Sequence, residues 1–181
     1  PRTSFVWHSP ALFAPGDAEC DVMAKLLGDG VASRLQRRLM VDEMLAQSVG
    51  VYQASMRLSS IFRIDVCAAD DVPLDKIEHV LDDELARFKS EGPNAEDLVR
   101  VKAQAETEST AALQRVMERA ERLNAYDDAF GDPDGFARDL NRYRDATAED
   151  VRGVASGLLD PKTRLTMRVL PTEVSTAGEA S

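Results

Sequence analysis

The stretch SIFRIDVCAADDVPLDKIEHVLDDELARFKSEGP, residues 60–93, changes its hydrophobic period halfway along. Phe62, Ile64 and Val66 alternate with Arg63 and Asp65, the two-residue repeat of a strand buried on one face. From Pro73 onward Leu74, Ile77, Val80, Leu81, Leu85 and Phe88 recur at helical spacing as one apolar stripe, which Gly92-Pro93 ends. A half-buried strand followed by an amphipathic helix predicts helices laid over one face of a sheet.

Upstream, residues 4–8 read as a short strand closed by Ser9-Pro10. Gly16-Asp17 opens a helix carrying Cys20, Met23, Ala24 and Leu27, which stops at Gly28-Asp29-Gly30. Ser33 is placed to cap a second helix through about Met44, and a strand over 47–57 should turn back through Leu58-Ser59 into the strand at 60–68. Downstream, Asn94 with Asp97 starts a long helix whose apolar residues run from Leu98 to Leu123. Gly131-Asp132-Pro133 interrupts it before a short helix around Phe136, Leu140 and Tyr143. Thr147 with Asp150 starts the last helix, and Leu165, Met167 and Val169 alternate as a closing strand. The fold class expected is α+β: a mixed, largely antiparallel sheet with helices layered on one face. Residues 1–171 are expected to form a single domain, with 172–181 a frayed polar tail.

Composition bounds the function. Of 181 residues 44% are hydrophobic, enough for one sizeable core without disulfide or metal staples. No window approaches 18 consecutive apolar residues, so no membrane span is expected. The net charge is −10, and both halves of the chain are acidic. A surface of this sign repels a phosphate backbone. The one basic cluster, Arg34, Arg37 and Arg38, reads as a solvated helix face, so nucleic acid is not an expected partner. Cys20 and Cys67 are too few for a disulfide framework or a zinc ribbon and read as small buried hydrophobes.

A self-contained active site is not found in the residues. His8 and His79 are the only histidines, whereas catalytic zinc usually takes three protein ligands and an open position. Asp75-Lys76-Ile77-Glu78-His79 imitates H-x-x-E-H with Asp at its first position. Ile77 turns that helix into the core, leaving Asp75, Glu78, Asp82 and Asp83 as its wet side. There is no G-x-S-x-G elbow and no C-x-x-C. Asp17, Glu19 and Asp21 around Cys20 should raise its thiol pKa. Gly28-Asp29-Gly30-Val31 follows a helix and lacks the lysine of a phosphate cradle, so it reads as a tight turn.

The segment PALFAPGDAECDVMAKLLGDGVASRLQRRLMVDEMLAQSVGVY, residues 10–52, resembles the start of the non-catalytic C-terminal half-domain of insulinase/pitrilysin-type zinc metallopeptidases, the family of mitochondrial processing peptidase. FKSEGPNAEDLVRVKAQ and ATAEDVRGVASGLLDPKTRLTMRVLP continue the resemblance, which covers residues 4–171. It implies a substrate-enclosing half-domain that holds no zinc itself. Zinc would sit in a partner half-domain, in the same polypeptide or in a partner subunit, with a peptide as substrate. The chain alone would be inactive, and the alternative is a scaffold or assembly module of a non-cleaving relative. The resemblance also favours a periplasmic over a cytoplasmic location. Active members of the family carry an Arg and a Tyr seven residues apart near the zinc. The matching positions here are Met40 and Gln47, with Arg38 nearby as a further substrate-wall candidate. Met40 cannot donate a charge-assisted hydrogen bond, whereas Gln47 can donate a neutral one.

Overall fold

The computed structural model describes residues 1–171, and the tail expected over 172–181 lies outside the described residues. The chain runs β1 (Arg2–Ser9), α1 (Asp17–Gly28), α2 (Arg34–Gln36), a π-helical turn (Arg37–Asp42), β2 (Ala46–Ala54) and β3 (Ser60–Ala68). It continues through α3 (Leu74–Glu91), α4 (Ala95–Ala112), α5 (Val116–Phe130), α6 (Phe136–Asp145), α7 (Ala148–Leu158) and β4 (Leu165–Val169). The strands stand in the order β2-β3-β1-β4. The architecture is the expected α+β layering; every pairing among the described strands is antiparallel, so the parallel component of a mixed sheet is missing there.

Register explains the core. Trp7 lies opposite Phe62 and Phe5 opposite Ile64, so the large side chains of the two central strands leave one face together and are buried. They join Ile77, Leu81 and Phe88 of α3, Val22, Met23 and Leu27 of α1, and Val151 of α7 in one cluster. Burying each such side chain stabilises the fold by about 1.5–3 kcal/mol. Trp7 also donates its indole N–H to the Asp160 carbonyl at 3.0 Å, which ties β1 to the segment before β4. At the other edge α1 lies directly on β2. A Cβ at Gly28 would stand 2.4 Å from Cγ2 of Val51, so a glycine is needed for that approach.

Local differences from the sequence reading have physical causes. The long helix expected from Asn94 breaks at Leu113–Arg115 into α4 and α5, although no Pro or Gly marks the site. The predicted hairpin turn at Leu58-Ser59 is a longer loop from Ser55, with the Met56 N–H donating to Ser60 Oγ at 2.9 Å. Ser33 precedes α2 but its hydroxyl caps nothing and is buried without a partner. Cys20 is buried, whereas Cys67 is half-buried on the helix-free face of β3. β4 alternates as expected, yet both of its faces are exposed. The carboxylates read as the wet side of α3 are largely engaged. Glu78 and Asp75 bind Arg168 of β4 at 2.7 and 2.5 Å, and Asp82 binds Arg164. Arg34 is not solvated either, since it donates to the Gly92 carbonyl at 2.8 Å and pairs with Glu91 at 3.3 Å.

One buried carboxylate joins four separate segments. Asp17, fully buried at the start of α1, accepts hydrogen bonds from the Phe13 N–H (2.9 Å), Ser55 Oγ (2.7 Å) and Arg142 Nη1 of α6 (3.0 Å). A charge taken out of water is tolerated only when its lone pairs are met in this way. Replacing Asp17 with Asn removes the ion pair and leaves Arg142 half-satisfied. Urea unfolding of Asp17→Asn should show a loss of about 3 kcal/mol, and a loss below about 1 kcal/mol would show that the cluster is dispensable.

Candidate functional site

The residues singled out by sequence lie around the π-helical turn, and the structure does not gather them into one pocket. That turn is set by Glu43 N–H donating to the Arg38 carbonyl five residues back, at 3.1 Å. A π turn inserts one residue into a helix and often marks a functional position. Met40 lies on it, half-buried and packed against the core. Arg38 pairs with Glu43 at 2.9 Å. Gln47 is exposed at the β-bulge that opens β2, and its amide donates to Asp70 Oδ1 at 3.3 Å. Met44, next to the bulge, has φ of 51° and is 74% exposed, as Val41 is at 58%. The turn therefore presents Val41, Met44 and the Gln47 amide, beside the exposed charged side chains of Arg37 and Asp42.

A cleft of about 460 Å³ opens beside this region, between β2 and the helices. It is lined by Gly50, Val51 and Tyr52 of β2, by Asp21, Lys25 and Gly28 of α1, by Glu108 of α4, and by Arg122 and Tyr143. β2 is an edge strand. Gln36 Nε2 makes a long contact, 3.5 Å, with the Val49 carbonyl from outside the sheet. In an antiparallel pair every second residue turns both main-chain groups the same way. Val51 and Gln53 therefore face their N–H and C=O groups away from β3, on the cleft side, where Gly28 of α1 lies close over the Val51 nitrogen. Sequence reasoning missed this site because edge position depends on strand order, which no local pattern encodes.

Electrostatics distinguish the cleft floor from its rim. At the rim Lys25 pairs with Glu108 at 2.7 Å and Asp29 at 3.5 Å, and Gln104 bonds both carboxylates. At the floor Tyr143 donates its hydroxyl to Asp21 Oδ2 at 2.7 Å. Burial pushes the Asp21 carboxyl up to about 6, an effect that the Tyr143 hydrogen bond opposes and the charge of Asp17 reinforces. Burial and the neighbouring Asp21 charge raise the Tyr143 hydroxyl well above its ordinary range. Burial, with Asp21, Asp17 and Glu19 around it, pushes the Cys20 thiol up to about 12, so Cys20 is not a nucleophile at neutral pH. The site offers hydrogen-bonding groups and one desolvated carboxyl.

Zinc does not fit the imitation motif on α3. His79 is 78% exposed by side chain and stands 3.6 Å from Asp83, and the carboxylates of Asp75 and Glu78 are turned to Arg168. Among the described residues no three His, Cys, Asp or Glu side chains converge as a metal site, and no helix is long and apolar enough to cross a membrane.

Residues 1–105 match the family described as the peptidase M16 inactive domain. No curated protein sequence matches. An inactive peptidase domain from Bordetella parapertussis, whose parent is assigned as a zinc protease, superposes with a TM-score of 0.84 at 24% identity, covering 94% of this chain and 90% of that one. A protease from Helicobacter pylori gives 0.81 at 19% identity, covering 91% of this chain and 39% of its own. A peptidase M16 inactive domain from Pseudomonas fluorescens gives 0.71 at 20% identity, covering 91% and 40%. The chain thus spans about two fifths of the Helicobacter and Pseudomonas chains and nearly all of the Bordetella domain. At these identities the likeness is one of fold.

The raised Asp21 pKa has a defined consequence for stability. The folded value is near 6 against an ordinary 3.8, so between those pH values the folded chain keeps a proton that the unfolded chain has released. Stability therefore falls as pH rises through that window. Asp21→Asn keeps an acceptor for Tyr143 and removes the charge. The variant should gain on the wild type by about 2 kcal/mol between pH 4 and pH 7 in urea titrations, and parallel stability profiles for the two proteins would refute the assignment.

Proposed function

From the chain's membership of the peptidase M16 inactive-domain family, we propose that it is the substrate-enclosing half of a zinc metallopeptidase, with the zinc held by a partner half-domain. That partner lies in the same polypeptide or in another subunit. This half brings a wall and a strand edge, and the partner brings the metal and the cleavage step. Residues 1–171 act as one half-domain in this reading.

The observation that carries the reading is the outer edge of β2, which no other described strand pairs and which lines the cleft. An extended peptide laid beside Val51 and Gln53 would gain main-chain hydrogen bonds, which hold many sequences alike because they ignore side chains. The cleft's side walls, Tyr52, Lys25 and Arg122, would then add contacts to individual side chains. In a water-filled cleft each main-chain bond contributes about 0.5–1.5 kcal/mol net. The π turn, with Met40, Met44 and Val41, is the surface offered to the zinc-binding half. The Gln47 amide has two N–H donors, one of them on Asp70, so it can offer the other as a neutral hydrogen bond to a substrate carbonyl. Arg38 is held by Glu43 through one of its five N–H donors, which neutralises part of its charge. Their existing partners support a modest role for this half in transition-state stabilisation. The same two observations favour, as the second reading, a scaffold half in a relative that cleaves nothing.

A fluorogenic peptide assay separates these readings. The purified chain alone, with zinc added, should show no cleavage above buffer. Mixed with its zinc-binding half it should cleave, and a chelator should stop it. Val51→Pro removes one outward N–H and spares the β2–β3 ladder, because proline is tolerated on an edge strand whose N–H faces outward. The variant, checked for an unchanged unfolding midpoint, should raise KM about tenfold with little change in kcat. Cleavage by the chain alone would overturn the proposal, and a stable complex without cleavage would establish the scaffold reading.

A further inference from the structure

α5 is poorly buried for a helix of its length. Of its 15 residues Tyr126 is the one buried, and its first turn holds Val116 and Met117 in water, 78% and 71% exposed. At its entrance Gln114 and Arg115 close single turns onto the Ala111 and Ala112 carbonyls, and Arg115 is extended at φ −93°, ψ 122°. At its exit the helix is clamped. The Phe13 ring lies 5.8 Å from Tyr126 and 4.8 Å from Phe130, and the Tyr126 hydroxyl donates to Asp139 at 2.9 Å. A Cβ at Gly135 would come within 2.7 Å of Phe130 and 2.9 Å of Tyr126, so the chain passes against the clamp with no room for a side chain.

Between these ends α5 stands off from the body. Its Glu118, Glu121 and Ala125 line a second open cleft, of about 390 Å³, whose far wall includes Phe13 and Ser55. Asp21, Arg122 and Tyr143 line both clefts, so the space under α5 adjoins the space along β2. Arg122 reaches across it to within 3.7 Å of Asp139.

We infer that the first turns of α5 are a flap over the β2 cleft, unwinding from the break at residues 113–115 and stopped at the C-terminal end of the helix by a latch of Phe13, Tyr126 and Phe130. Lifting the first turns of α5 uncovers almost no apolar surface that water does not already reach, whereas freeing the latch uncovers three aromatic rings. Opening therefore starts at the entrance end and stops at the latch. The flap's role as gate to a peptide rests on the preceding reading; its motion does not.

Amide hydrogen exchange on the intact chain, read by NMR without any peptide, tests the motion. Amides of residues 120–125 should exchange about 100-fold faster than those of Val22–Leu27 in α1 and those of residues 127–130. A contrast below about tenfold overturns the flap. Phe13→Ala should speed exchange at 127–130 at least about tenfold and leave α1 unchanged, which also reports that the variant is folded. Unchanged exchange at 127–130 overturns the latch. An extended peptide that binds should slow exchange at 120–125, and binding without that slowing overturns the gate. Failure of the peptide to bind counts against the preceding reading alone, with the exchange contrast still deciding the flap.

Discussion

The position of the cleft follows from keeping one carboxylate charged while wholly out of water. Asp17 must be met on all sides, and the groups that meet it come from the loop before α1, the loop after β2 and helix α6. Satisfying that charge fixes where α1 starts and how α6 lies across it. Arg142 extends the constraint, because the same guanidinium binds Asp139 at 2.6 Å, and Asp139 accepts from Tyr126 of α5. Gly28 at the other end of α1 completes the arrangement by letting the helix rest on Val51. The space left between α1, β2 and α5 is the cleft, so a buried ion pair at one end of α1 helps set the shape of the cleft along its length.

The two sheet edges are treated differently. β4 is anchored through charge: Arg164 and Arg168 reach Asp82, Asp75 and Glu78 of α3, and the Arg164 guanidinium also lies 4.7 Å above the Phe5 ring. These contacts hold a strand whose apolar residues, Leu165, Met167 and Val169, remain exposed. β2 is held by packing, with Val49 and Val51 against the helices, and its outward main-chain groups are left along the cleft. A strand secured by its side chains in this way can offer its edge to a ligand without loosening the sheet.

Much of the architecture was legible in the sequence because it is periodic. The alternation of Phe62, Ile64 and Val66 gave a strand whose bounds match β3, and the stripe from Leu74 to Phe88 gave α3. The Thr147–Asp150 capping box was readable as a start signal and is formed in full. The α4–α5 break was not readable, since Leu113, Gln114 and Arg115 are all good helix formers. The engagement of Asp75, Glu78 and Asp82 was hidden because their arginine partners lie about eighty to ninety residues away. The family resemblance placed Met40, Gln47 and Arg38 on one surface, and the structure shows each already holding a local partner or the core. The cleft itself was illegible. It depends on strand order and on the angle of α1, and its key polar residue, Asp21, reads in sequence as one more acidic side chain on a helix.

The peptidase reading rests on whether an extended chain can seat on the outer edge of β2. Titrating a ¹⁵N-labelled sample with an unstructured peptide and following the amides of both edge strands tests it directly. The account predicts that the amides of Val51 and Gln53 shift and gain protection from exchange while those of β4 stay where they are. Perturbation confined to β4, or saturable binding that leaves Val51 and Gln53 unmoved, would contradict it.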